Sequence, residues 1–280
     1  MADKFKAVWV SHSSIADFLK CPRLYYLRSV YKDPKTGHKI TLMSPPLALG
    51  QAVHEVIEAL SELPVEERFK KSTLEKFDES WKKVSGKMGG FTSKEQEDEY
   101  KERGKEMLKK IVDEPGPLKN KAIKIRGDDE KFNLPYFWLN EEDNIILSGK
   151  IDWLEYLTDS DGIHIIDFKT GKNEEDGESL QLPIYYLLAK NLQKREIKKI
   201  SYWYLDNGSG LVEMNLPNEK EAYEKVYEIA KRIKLGRLID HLKCPKGDSG
   251  CFACRGLEEV LKGNGELVGT NGWQDIYISS

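Results

Sequence analysis

Apolar positions along the chain first repeat at helical spacing and then, past residue 121, at the spacing of strands. In SSIADFLKCPRLYYLRSV (13–30) Ile15, Phe18 and Leu19 share one helical face. Ser14 is the expected cap with Asp17 three residues on, and Pro22 directly after Cys21 predicts a break and a new helical turn. Pro and Gly mark residues 31–46 as loop. LALGQAVHEVIEALSEL (47–63) places Leu49, Val53, Val56, Ile57 and Leu60 on one helical stripe, with Gly50, His54 and Glu58 four apart on a second. Residues 65–113 are charged with sparse apolar positions, which predicts two helices around SGKMGGFTSK (85–94).

From Ala122 the segments AIKI, KFNLPYFWL, NIILSGKIDWLEYL and GIHIIDFK read as strands joined by short polar turns such as NEED and TDSDG. The short turns favour antiparallel neighbours, at least for the last two. A helix over SLQLPIYYLLAKNLQ (179–193), a strand over KKISYWYLD (198–206) and a helix over NEKEAYEKVYEIAKRIKLG (218–236) follow, and the tail ends in GWQDIYIS. The order of elements is that of a mixed α/β (α+β) chain.

Strand alternation gives GIHIIDFK its chemical interest. Ile163, Ile165, Asp167 and Lys169 share one face, and His164, Ile166 and Phe168 the other. In the preceding segment Ile145, Leu147, Ile151, Trp153 and Leu157 mark an apolar face, which leaves Asp152 opposite. Pairing through the turn at 158–162 then brings Asp152 and Asp167 within reach of one ion. Two carboxylates and a lysine at one sheet end suit metal-assisted hydrolysis, because oxygen ligands hold a hard divalent cation and the ammonium orients water or stabilises developing charge. Local pattern also permits a plain reading, with Asp167 and Lys169 as a strand-end ion pair and Asp152 solvated. Other acid-x-lysine triplets, at 33–35, 99–101 and 196–198, fall in a Pro-containing loop or in charged helical and linking segments. Glu130 is either a supporting acid or a turn residue.

Composition adds boundaries. With 44 Lys and Arg against 47 Asp and Glu, net charge −3, the chain has no global pull toward nucleic acid, so a polyanion must be met by a local groove. KNLQKREIKK (190–199) and KRIKLGRL (231–238) are candidate basic linings, and Tyr25, Tyr26, Tyr202, Trp203 and Tyr204 candidate base-stacking rings, against the alternatives of solvated helix faces and core aromatics. No apolar run reaches membrane-spanning length and the first residues lack a signal-peptide core, so a cytoplasmic location without membrane contact is expected. Cys21, Cys244, Cys251 and Cys254 suit a metal or cluster site in a reducing compartment, and four thiolates serve [4Fe-4S] or structural zinc alike.

His54 in GQAVH, Asp152 in GKIDWL, Asp167 and Lys169 in IIDFKTG, then Gln181 and Tyr185 in QLPIYY stand in an order that resembles the PD-(D/E)xK nuclease superfamily, closest to its RecB-like branch. CPRLYY at Cys21 and CPKGDSGCFAC at Cys244, Cys251 and Cys254 resemble its iron–sulfur members, which include AddB-type nuclease subunits and CRISPR-associated adaptation nucleases. The resemblance runs from Cys21 to Cys254 and is weakest over 61–130.

The resemblance implies a restriction-endonuclease-like core, a mixed central sheet flanked by helices. One nuclease domain over 1–280 is expected: N-terminal helices (1–60), a helical insertion (61–120), catalytic sheet and helices (121–240) and a cysteine tail (241–280). It further implies Mg²⁺ or Mn²⁺ on His54, Asp152, Asp167 and the Phe168 carbonyl, Lys169 as catalytic lysine, and Gln181 and Tyr185 positioning the site. It favours a [4Fe-4S] cluster over zinc, joining the N- and C-terminal segments. The implied activity is a DNA nuclease, an exonuclease on DNA with single-stranded character in repair or recombination, or a CRISPR adaptation nuclease trimming spacer precursors. A non-catalytic DNA- or partner-binding protein is the reading of another class. No G-x-x-x-x-G-K-[ST] pattern occurs, so unwinding would fall to a helicase partner, and an integrase is the alternative partner.

Overall fold

The computed structural model describes residues 3–69, 72–127 and 134–279. In chain order these form β1 (Val8–Val10), α1 (His12–Lys20), α2 (Pro22–Tyr25), β2 (Lys39–Leu42), α3 (Pro45–Ser61), α4 (Thr73–Trp81) and α5 (Lys94–Asp113). Then come β3 (Tyr136–Asn140), β4 (Ile145–Ser148), β5 (Trp153–Leu157), β6 (Gly162–Lys169), α6 (Gln181–Leu192), β7 (Ile197–Tyr204), β8 (Gly210–Met214) and α7 (Glu219–Leu238). The chain closes with α8 (Arg255–Leu261), β9 (Gly265–Asn271) and β10 (Gln274–Ser279).

The sheet that matters for function is ordered β5-β6-β7-β8. The four residues 158–161 turn β5 back antiparallel onto β6, and α6 crosses over to return the chain as β7, parallel to β6. Both faces of β6 are covered, which is why its sequence is almost continuously apolar. Ile163 and Ile165 pack with Leu188 of α6 and Ile229 of α7. Ile166 and Phe168 pack on the opposite side with Val53 and Ile57 of α3 and Leu108 of α5. Sheets flanked by helices are the mixed α/β arrangement expected of a restriction-endonuclease-like core.

Helix α3 follows the expected stripe: Leu49, Val53, Val56, Ile57 and Leu60 are buried, and Pro45 and Pro46 occupy its first turn, where no donor is lost. Burying each of these large aliphatic side chains contributes about 1.5–3 kcal/mol. The two helices around 85–94 are α4 and α5.

Several expectations are corrected. Ser11, not Ser14, caps α1; Ser14 is the third helical residue of a capping box, its hydroxyl accepting from the Ser11 N–H at 2.8 Å. The stretch 31–46 is not all loop, because β2 pairs in parallel with β10. The apolar run 144–157 is two strands in different sheets, broken between Ser148 and Trp153. AIKI reduces to a single bridge from Ala122 to Glu155 with its flanking hydrogen bonds. Glu130 and residues 131–133 of the strand expected over 131–139 lie outside the described residues.

Candidate active site and thiolate cluster

The register of β5 on β6 decides where the acids meet. Trp153 pairs with Ile166, so Asp152, one residue before β5, stands beside Asp167. Asp152 Oδ2 accepts from the Phe168 N–H at 3.0 Å. The N–H and C=O of one strand residue point to the same edge, so the Phe168 carbonyl faces this side as well. The strip on α3 lies over the same strand end. A Cβ at Gly50 would stand 3.3 Å from Thr170 Oγ1, His54 Nδ1 is 3.3 Å from Asp152 Oδ2, and Glu58 pairs with Lys150.

The β6-α6-β7 crossover carries the first turn of α6 over the C-terminal end of β6. Gln181, its first residue, donates to Asp167 Oδ1 at 2.6 Å and accepts from Lys169 Nζ, and Gln181 Nε2 is 3.3 Å from the Tyr185 hydroxyl one turn on. Lys169 Nζ is 3.0 Å from Asp167 and 2.9 Å from Glu175, over the Tyr202 ring. The structure thus brings together His54, Asp152, Asp167, Phe168, Lys169, Gln181 and Tyr185 around one cleft.

Two carboxylates side by side in the interior repel. Burial and the Asp152 charge raise the Asp167 pKa to about 7, against the opposing pull of Lys169. Burial opposes ionisation of Asp152 too, but His54 beside it outweighs burial and its pKa falls. The same pairing raises His54 against its own burial. Lys169 rises likewise, since Asp167 and Glu175 outweigh its burial, and it remains an ammonium ion. Asp167 Oδ2 is buried and accepts no well-directed hydrogen bond, although Lys169 Nζ lies near it. A buried acceptor with spare lone pairs, next to a second carboxylate and a carbonyl, is a donor set for a hard divalent cation.

Sequence reasoning missed several members of the site. Ser11, His12 and Ser13 at the start of α1 form part of the cleft wall, and burial together with Lys169 lowers the His12 pKa to about 4, leaving a neutral imidazole there. Glu175, in the segment between β6 and α6, is the second partner of Lys169. Neither His12 nor Glu175 carries a local signal: His12 is the first residue of an ordinary amphipathic helix, and Glu175 sits in a run of polar residues.

The basic and aromatic candidates do not line this cleft. The parallel register runs from Ile163 beside Ile197 to Lys169 beside Tyr204, so Lys198 and Lys199 lie at the far end of the strands, roughly 20 Å away at ~3.3 Å per residue. Tyr25, Tyr202, Trp203 and Tyr204 are buried, and Trp203 stacks on Phe168 at 5.4 Å. They are core aromatics, unavailable to bases.

The four cysteines converge from both ends of the chain. Their sulfur atoms lie within 4.8 Å of one another, Cys251 and Cys254 at 3.8 Å. Cys21 occupies the break between α1 and α2, Cys254 the start of α8, and Arg23 bonds Glu258 at 2.6 Å beside them. A Cβ at Gly250, whose φ is +72°, would stand 3.2 Å from Cys254 Sγ, so glycine lets the loop approach the sulfur. Two thiolates on one tetrahedral zinc, with bonds of about 2.3 Å, stand about 3.8 Å apart; an iron–sulfur cluster needs the same four donors more widely spread. Burial pushes the Cys254 thiol up to about 12, while backbone hydrogen bonding, from Cys254 first, lowers Cys251 to about 6.

A family model described as the PD-(D/E)XK nuclease superfamily matches residues 9–256, a span that holds the whole cleft and all four cysteines. No curated protein matches the chain.

Proposed function

Because this chain belongs to the PD-(D/E)XK nuclease superfamily, we propose that it is a metal-dependent deoxyribonuclease whose active site is the cleft at the C-terminal end of β6. Members of the superfamily are typically nucleases and use divalent metals. The observation that carries the assignment is the pairing of half-buried Asp152 with buried Asp167, whose Oδ2 accepts no well-directed hydrogen bond, with Lys169 alongside.

On this reading His54, Asp152, Asp167 and the Phe168 carbonyl hold Mg²⁺ or Mn²⁺. Such an ion, when bound, polarises a phosphoryl oxygen and lowers the pKa of water. Lys169 presents its ammonium to the phosphoryl oxygens, where charge grows as the phosphodiester is attacked. Gln181 bridges Asp167 and Lys169 and fixes both rotamers, and Tyr185 steadies Gln181 from one turn below. The cysteines hold [4Fe-4S] with their sulfurs drawn further apart than the 4.8 Å seen here, or zinc at the observed spacing, and close a loop from the first helices to α8; anaerobic preparation and elemental analysis distinguish the two. The substrate is DNA with single-stranded character, cut exonucleolytically in repair or recombination, with a helicase partner to supply unwinding.

The test is an assay of anaerobically purified protein on end-labelled single- and double-stranded DNA with Mg²⁺, Mn²⁺ or chelator. Cleavage that requires metal and falls by about 10²–10³-fold in Asp167→Ala and Lys169→Ala is expected. Unchanged cleavage in both variants would remove the assignment, and binding without cleavage in the wild type would establish the non-catalytic reading.

A further inference from the structure

A second cavity opens beside the catalytic cleft, and Lys150 and Asp152 line both. One wall is the C-terminal half of α3, with Glu58, and the residue after it, Glu62; the other is the segment 122–126 that extends the edge of β5. The floor is apolar, with Ile123, Ile151, Leu188 and Leu192 among its residues. Two ion pairs lie along the groove: Lys124 reaches across it to Glu62, and Lys150, in the link between β4 and β5, reaches Glu58. Arg126, 69% exposed, stands 3.8 Å from the same Glu62, so three cations share two carboxylates.

We infer that this groove is the track of a single DNA strand running to or from the active site, and that the Lys124–Glu62 and Lys150–Glu58 ion pairs open to admit it. This rests on the nuclease reading above. A strand with unpaired bases fits both parts of the lining, because bases settle on apolar surface while phosphates take the cations. A duplex hides its bases and meets only the rim. Glu58 and Glu62 act as stand-ins for phosphate in the free protein. Exchange of a carboxylate for a phosphate at Lys124 or Lys150 keeps each ammonium paired, while the released Glu58 and Glu62 carboxylates, 49% and 58% exposed, turn to water.

This arrangement gives the two sides of each ion pair opposite effects. Binding of a fluorescently labelled oligo(dT) is measured by anisotropy across a salt series, with Ca²⁺ replacing Mg²⁺, so that the readout does not depend on cleavage. Lys124→Gln with Arg126→Gln weakens binding about 5–10-fold and flattens the salt dependence by about 1.4 in slope, at roughly 0.7 per lost phosphate contact on a single strand. Glu58→Gln with Glu62→Gln tightens binding severalfold and steepens the slope. A blunt duplex of equal length shifts less in both cases. Arg126→Gln alone carries the prediction at half the slope change if the double variant does not fold. Structural ion pairs would instead lower the melting temperature in both variants and leave oligo(dT) affinity and slope unchanged, and that result overturns the inference. So does weaker binding in the glutamate variant, or an equal shift on duplex. Failure of the nuclease reading shows separately, as metal-dependent cleavage insensitive to Asp167→Ala or as no cleavage at all.

Discussion

Asp167 and Asp275 are each 1% exposed, yet burial leaves them in opposite states. Asp275, on β10, accepts from Thr36 Oγ1 at 2.7 Å and from His38 Nδ1 at 2.8 Å. Burial opposes its charge, but these two donors outweigh burial, and its pKa falls below the usual carboxylate range. Asp167 has Gln181 and Lys169 at hand, but its other neighbour is the Asp152 carboxylate, and its pKa rises to about 7. A third buried acid, Glu155 on β5, resembles Asp275: Asn120 Nδ2 donates to one oxygen, and His164 Nδ1 is 2.7 Å from the other, with Ser201 on the far ring nitrogen at 2.7 Å. A buried carboxylate surrounded by donors is a fixture of the fold. One set against a second carboxylate, with an oxygen that accepts no well-directed hydrogen bond, has a lone pair free for a further ligand.

The sharpest way to break this contrast is to neutralise each acid in turn. Asp167→Asn is expected to lose cleavage on the order of 10³-fold while its melting temperature stays level or rises, since a buried like-charge repulsion is removed. Asp275→Asn is expected to do the reverse: cleavage per folded molecule unchanged, stability lower by about 1–3 kcal/mol, roughly 2–10 °C in melting temperature. A fall in stability for Asp167→Asn equal to that of Asp275→Asn would make both acids fixtures.

A smaller effect separates the two sites without any assay of activity. Mn²⁺ at about 100 times its dissociation constant stabilises the folded state by about 2.7 kcal/mol. That gain, read by thermal denaturation, is expected in the wild type and in Asp275→Asn and is expected to vanish in Asp167→Asn. A gain retained in Asp167→Asn would place the ion elsewhere.

How much of this was readable beforehand follows from the range of each signal. The meeting of Asp152 with Asp167 was legible because a four-residue turn fixes the register of β5 on β6, and register fixes neighbours. The α3 stripe was legible because its period is local. The strands β2, β9 and β10 were not recognised, since they alternate weakly and stay half exposed, so Asp275 had no visible partner in His38 more than two hundred residues earlier. The break after Ser148 was hidden because apolar residues continue across it on both sides, although the chain changes sheets there. The basic stretch 190–199 looked suited to a groove, and only the parallel pairing of β6 with β7 puts it at the wrong end. His12 and Glu175 reach Lys169 through tertiary packing, which no sequence period reports.

The smallest expected effect concerns pH and tests the origin of the contrast. Asp275 has a folded pKa below its unfolded value, so the unfolded chain takes up its proton first as pH falls. The stabilisation by ionised Asp275 is therefore fully present above the usual carboxylate range near pH 4 and is lost as pH drops through the lower folded value. The stability difference between wild type and Asp275→Asn should then be constant from pH 5 to 8 and shrink below about pH 4, as followed by urea unfolding. Asp167, shifted upward, carries the opposite sign: in metal-free protein the stability owed to its proton is present at low pH and lost as pH rises through about 7. A difference for Asp275→Asn that instead grew on acidification would mean that the buried acid at β10 holds a proton in the folded state, and the distinction between an acid held by donors and an acid set against another acid would fail.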